Sequence, residues 1–179
     1  MRFKDISESS PLTFQGSITP DLLISKIWLA DTLKSLGYKK FSTIYILGSW
    51  YGNMAYILNK QNIKFDKIIN VESKKNWLKF SHQLLTKLGI NVKSILTDVN
   101  NIDYQDLDQH SLIINTSVQE INGIDWFKKI PSGTIVAIEY RSDGPKIKDL
   151  NFSETLYVGE KHLTDPETSY TRYLKIGLK

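Results

Sequence analysis

A short apolar run that stops at a pair of glycines constrains this chain most. Ile44, Tyr45, Ile46 and Leu47 lead into Gly48-Ser49-Trp50-Tyr51-Gly52, and a helical pattern begins at once, from Asn53 to Lys60. A second apolar run, Lys67 to Val71, ends in Glu72. Brief apolar runs joined by helical stretches are strands of a parallel sheet, buried on both faces. A glycine turn between strand and helix lets a ligand approach the backbone. An acidic residue closing the next strand can accept both hydroxyls of a ribose. The layout predicts a pocket for an adenosine-containing cofactor at the carboxyl edge of the sheet. The competing reading of Glu72 is a solvated carboxylate held at a helix start by the dipole.

The rest of the chain keeps the alternation. Residues 1–18 are polar and irregular, with turn signals at Ser9-Ser10-Pro11 and Gly16-Ser17. Thr19-Pro20-Asp21 reads as a helix start, with threonine as N-cap and aspartate near the positive end of the dipole. Leu22, Ile24, Ile27, Trp28, Leu33 and Leu36 give that helix an apolar stripe, and Gly37 ends it. Strands are expected over 41–47, 67–71, 92–96, 111–115 and 134–139. Helices are expected over 53–60, 74–88 with Ser73 as N-cap, and 124–130, with a short helix or turn over 104–108. This order predicts a parallel sheet with helices on both faces. The end breaks the pattern. Thr155 to Leu163 and Ser169 to Ile176 are strand-like runs separated only by Thr164-Asp165-Pro166-Glu167-Thr168. A loop that short joins antiparallel neighbours.

Composition removes several chemistries. A length of 179 residues fits one domain with a sizeable core. The absence of cysteine excludes disulfides, thiolate metal sites and cysteine nucleophiles. His82, His110 and His162 lie far apart without metal-ligand spacing, so no metal is expected. The start, Met1-Arg2-Phe3-Lys4-Asp5, lacks an apolar core, and no apolar run approaches the ~20 residues of a membrane span. A cytoplasmic protein without a membrane partner is the expectation. The net charge of +4 comes almost wholly from scattered lysines, and only Arg2, Arg141 and Arg172 are arginines. That pattern favours a solvated surface over a nucleic-acid face.

A parallel sheet closed by a C-terminal antiparallel hairpin resembles the class I S-adenosylmethionine (SAM)-dependent methyltransferase fold. The resemblance covers nearly the whole chain, roughly residues 20–179. It implies a Rossmann-like, doubly wound α/β domain over 19–179. The sheet would have seven mostly parallel strands, with the seventh inserted antiparallel beside the fifth. The loop Gly48 to Gly52, followed by Asn53, looks like the family's first motif. Glu72 looks like its ribose-binding acid, and Asp98, followed by Val99, like its adenine-contacting acid. Asn115-Thr116-Ser117 falls where the family places residues beside the reacting methyl group. Segment 1–18 would hold a lid at Phe14 and Gln15. The chain is also similar to small phage-type members with LGSWYGN and INTS segments. It departs from the family pattern at Ile46, where an acidic residue is usual, and at Trp50, which replaces a middle glycine. Its fourth motif is not Asn-Pro-Pro-Tyr or Asp-Pro-Pro-Tyr, which argues against adenine-N6 or glutamine acceptors. The short gap between Glu139 and Thr155 implies a reduced last helix.

Each candidate has a structural alternative. Trp50 and Tyr51 wall either the cofactor or a satellite core against Trp28 and the first helix. Asp98 makes either an adenine contact or turn chemistry. Asn115, Thr116 and Ser117 sit where open α/β sheets bind ligands, yet Ser117 and Glu120 have capping-box spacing. Glu139, Tyr140, Arg141 and Asp143 follow the fifth strand. Glu139 needs a partner there, with Arg141 the obvious one. A dinucleotide is the competing cofactor, but bulky Trp50 stands where a pyrophosphate needs glycine. The resemblance thus implies methyl transfer from SAM to a small-molecule acceptor, with nucleic acid the weaker expectation. Asn115 and Ser117 would orient the acceptor, and Glu120 or Glu139 would take its proton. Two alternatives stay open: aminocarboxypropyl transfer from the same cofactor, and a non-catalytic binding module.

Overall fold

The computed structural model describes residues 16–104, 107–141, 150–164 and 169–179. The turn at 9–11, the lid residues Phe14 and Gln15, Asp143 and most of the gap after the fifth strand lie outside the described residues. The elements are α1 (Pro20–Ser35), β1 (Lys40–Leu47), α2 (Asn53–Lys60), β2 (Lys64–Glu72), α3 (Lys75–Lys87), β3 (Val92–Leu96), β4 (Leu112–Asn115), α4 (Asp125–Lys128), β5 (Ile135–Arg141), β6 (Glu154–Thr164) and β7 (Ser169–Leu178). Single 3-10 turns occupy Val99–Asn101 and Val118–Glu120.

Seven strands form one sheet in the order β3-β2-β1-β4-β5-β7-β6. β1 to β5 pair in parallel, and β7 runs antiparallel to both β5 and β6. The hairpin therefore forms, and its second strand is the one that enters the sheet. The reason is in the side chains. Leu174 and Ile176 of β7 alternate into the core, whereas β6 carries Glu160 and Lys161 and suits an edge. The chain winds outward from β1 through β2 to β3, then returns to β4 on the other side of β1. The connections leaving β1 and β4 part there, opening the crevice where such sheets bind ligands.

Strand alternation sorts the core into two layers. Ile44, Ile46, Ile68, Leu112, Ile114, Ile135 and Ala137 face α1 and α2, meeting Leu29, Leu33, Met54 and Leu58. Tyr45, Leu47, Ile69, Val71, Ile113, Val136 and Ile138 face the other way, meeting Trp126, Phe127 and Ile130 around α4. Among the described residues that second face is covered by α4, the 3-10 turns, and Tyr104 and Leu150.

Two local expectations need correction. The buried face of α1 holds Asp21, Ser25, Lys26, Leu29, Ala30 and Leu33, while Ile24 is exposed. The helix is rotated from the apolar stripe because its first turns bury polar groups against the sheet edge. α3 begins one residue late, with Lys74 rather than Ser73 as N-cap. The Ser73 amide is instead held by Glu72 Oε1 at 2.8 Å.

Candidate functional site

A cleft of about 610 Å3 lies at the carboxyl edge, between the loop after β1 and the turns after β2, β3 and β4. Its volume is within the range of small-molecule sites. Of the residues expected at a cofactor, Gly48, Ser49, Trp50, Asn53, Glu72, Asp98, Val99 and Thr116 line it. Tyr51, Gly52 and Asn115 do not. Of the expected catalytic residues, Ser117 and Glu120 line it, and Asn115 and Glu139 do not.

The loop after β1 is a tight turn closed by Gly52 N–H on the Ser49 carbonyl at 2.8 Å. Gly48 has φ +62°, a left-handed conformation that favours glycine. A Cβ there would stand 2.8 Å from Ser117 Cβ, so glycine also permits close approach of the loop after β4. Ser117 Oγ donates to the Gly48 carbonyl at 3.1 Å. This bond replaces the capping box with Glu120, because the Ser117 side chain caps nothing.

Glu72 organises the rest. Its Oε2 accepts from the Trp50 amide at 3.0 Å, and its Oε1 from the Ser73 and Lys74 amides at 2.8 and 3.0 Å. The carboxylate thus ties the glycine loop to the turn after β2, which a solvated helix-start residue would not do. A carboxylate has about four acceptor sites, so these bonds leave one on Oε2.

Trp50 and Tyr51 divide the two roles weighed for them. Tyr51 is fully buried, edge-on to Phe80 at 5.3 Å and tilted against Trp77 at 5.9 Å. Trp50 lines the cleft, packed on Trp77 at 5.9 Å, and its buried Nε1 has no hydrogen-bond partner among the described residues. The partner element is α3 rather than Trp28. Asp98 Oδ1 accepts from the Asn100 amide at 2.8 Å, so one oxygen serves the turn while the residue lines the cleft. Asn53 donates to the Ser17 carbonyl and hydroxyl, at 2.6 and 3.0 Å, and anchors the segment before α1. Asn115 is fully buried beside the cleft. Its Oδ1 accepts from Ser117 N–H at 3.0 Å, and its Nδ2 has no partner among the described residues.

Glu139 lies on the sheet face that α1 covers, fully buried, with neither oxygen hydrogen-bonded among the described residues. The expected Glu139–Arg141 bond is therefore not made. Arg141 instead stacks on Tyr170, its Cζ 4.3 Å from the ring centroid. Sequence reading missed Leu22, Lys26, Trp77, Gln119 and Arg172, all of which line the cleft. Lys26 was detectable, being a lysine three, four and seven residues before Leu29, Ala30 and Leu33. Arg172 gave no signal, since only the hairpin pairing carries it to the cleft.

No protein-family model and no curated protein matches this sequence. Solved structures match it well in shape. A proposed RNA methyltransferase from Pyrococcus horikoshii superposes with a TM-score of 0.68 at 15% identity, over 90% of this chain and 85% of its own. A SAM-dependent methyltransferase from Aquifex aeolicus gives 0.64 at 17% identity, over 94% and 98% of the two chains. An rRNA methylase from Streptococcus thermophilus gives 0.61 at 17% identity, over 90% and 99%. The chain has the class I methyltransferase fold, a mostly parallel seven-stranded sheet ending in an antiparallel hairpin. Its structural neighbours are SAM-dependent methyltransferases.

Proposed function

We propose that this chain is a SAM-dependent methyltransferase with a small-molecule acceptor, related to the phage-type members with the LGSWYGN segment. The observation that carries the proposal is the Glu72 clamp. A buried carboxylate at the switch point of the sheet holds the glycine loop to the turn after β2 and lines the cleft. The residues present fit such a cofactor. Trp50 Nε1, Ser49 Oγ and Gln119 Oε1 are buried atoms of cleft-lining residues without partners among the described residues, and buried polar groups ordinarily have one.

Bound there, SAM would supply a sulfonium-activated methyl group for in-line displacement. The chain's own task is to position the acceptor and exclude water. Glu72 holds a ribose hydroxyl, Asp98 reaches the base, and Trp50 with Trp77 walls the nucleoside end. Thr116, Val99 and Asn53 complete the lining. Ser117 fixes the loop after β4 against Gly48, and Asn115 fixes Ser117. Glu120, an exposed carboxylate on the cleft wall, takes the acceptor's proton where the acceptor starts protonated. Glu139 is screened from the cleft and is not assigned that role. Trp50 at the middle glycine position disfavours a dinucleotide, which needs bare backbone for its pyrophosphate. The RNA methyltransferases among the neighbours make a nucleic-acid acceptor the second reading.

The test is isothermal titration with S-adenosylhomocysteine (SAH), with NAD as control. Micromolar SAH binding that is lost in Glu72→Ala, with no NAD binding, is expected. Binding of neither ligand would sink the enzyme reading. With an acceptor in hand, full turnover in Glu120→Gln would remove the assigned base, and methylthioadenosine as product would show aminocarboxypropyl transfer.

A further inference from the structure

Where α1 crosses the ends of β5 and β7, a cluster of charged groups is buried that the steps above do not use. Lys26 and Arg172 line the cleft although they are only 7% and 4% exposed. Glu139 and Asp21, both buried, do not line it. Asp21 Oδ2 accepts a short hydrogen bond from the Tyr170 hydroxyl. Glu139, Arg172 and the core residues Leu174 and Ile176 share the sheet face covered by α1.

Both cations line the cleft, and neither carboxylate does. Arg172 contacts Tyr170, its Cζ 5.8 Å from the ring centroid, but its Nε and Nη1 have no hydrogen-bond partner among the described residues. Burying such donors unpaired costs free energy, so their retention beside a cleft points to a missing acceptor. Burial lowers the pKa of Lys26, Glu139 partly restores it and Arg172 lowers it further. The charge of each cation thus disfavours the other, and an anion bound at the cleft would relieve both.

We propose that Lys26 and Arg172 form the anion subsite of the acceptor, which is a small molecule carrying a carboxylate or a phosphate. This rests on the methyltransferase reading above. The strand order places the subsite away from the nucleoside end. β7 is three strand spacings from β1 and four from β2, about 14 and about 19 Å. Glu72 and the cation pair thus occupy opposite ends of the cleft. Glu139 does not line the cleft, and its charge acts on Lys26 as a carboxylate that competes with a bound anion.

The test is a fluorine NMR titration of the full chain with 4-fluorobenzoate and with 4-fluorobenzylphosphonate, each with and without saturating SAH. One probe is expected to bind the SAH complex, and which one it is tells carboxylate from phosphate. Lys26→Gln and Arg172→Gln should each weaken that binding at least tenfold, and Arg172→Lys by much less. Glu139→Gln, which removes a competing carboxylate, should tighten it several-fold, a change that a merely structural cluster would not produce. Absence of binding by either probe to an SAH-saturated wild type overturns the subsite alone. A probe that binds only without SAH shows that the pair holds the cofactor's own carboxylate, and overturns it too. Probe binding in a protein that does not bind SAH sinks the methyltransferase reading and the acceptor assignment with it. The wild-type arms decide the matter even where a variant fails to fold.

Discussion

Gly48 and Gly52 look alike in the loop after β1 and serve different neighbours. Both have left-handed backbones, at φ +62° and +81°. A Cβ on Gly48 would meet Ser117, 2.8 Å away in the cleft wall, whereas one on Gly52 would meet Ser81 Oγ at 2.5 Å and Leu85 Cδ1 at 3.0 Å on α3. Alanine in the left-handed region costs about 1–2 kcal/mol, so both alanine variants should unfold earlier. Only Gly48→Ala displaces the loop after β4, so only it should also weaken SAH binding markedly. Thermal unfolding and SAH titration of the two variants would check this, and equal loss of affinity in both would contradict it. At the same scale, Glu72→Ala leaves three backbone amides without their acceptor. It should lower the stability of the free protein by roughly 1–3 kcal/mol, read from denaturant midpoints, as well as abolish SAH binding.

The tie between α1 and β7 is the element-scale feature with a measurable pH signature. Burial alone would raise the Asp21 pKa, but hydrogen bonds from Thr19 and Tyr170 outweigh it and hold the carboxyl below its ordinary value of 3.8. A depressed carboxyl stabilises the fold above that value, and the contribution is lost as pH falls through the lower folded pKa. Tyr170→Phe should cost about 1–3 kcal/mol at neutral pH and flatten the acid limb of the stability curve below pH 3.8. Urea midpoints across that range give the answer, and a limb as steep as wild type would show that Tyr170 does not set the Asp21 pKa. The strands of this protein were readable because each is a short apolar run ended by a polar or glycine turn. The orientation of α1 was not, because its buried face opens with Asp21, Ser25 and Lys26, and hydrophobicity cannot mark a face that buries charge.

For the whole molecule, the cleft couples ligand binding to stability, since its walls come from α1, the loops after β1 to β4, and β7. SAH at a hundred times its dissociation constant should add about 2.7 kcal/mol. In a chain of this size that raises Tm by roughly 5–10 °C. A thermal scan with SAH and with NAD would show it, and an unchanged Tm in both would argue against a preformed cofactor cleft. Among the described residues no helix is long and apolar enough to cross a membrane.

The alternation of runs, the glycine turn and the position of Glu72 are local patterns, and they determined the class of fold and one end of the cleft. Periodicity and turn chemistry act over a few residues and can be read without knowing what lies opposite. Tertiary structure alone decided which strand of the hairpin enters the sheet and that Glu72 spends most of its carboxylate on backbone amides. It also decided that Glu139 is screened while Lys26 and Arg172 face the cleft. Those outcomes depend on contacts between segments 149 residues apart, such as Tyr170 with Asp21, and the physics that joins them is burial and charge at close range, which sequence order does not record.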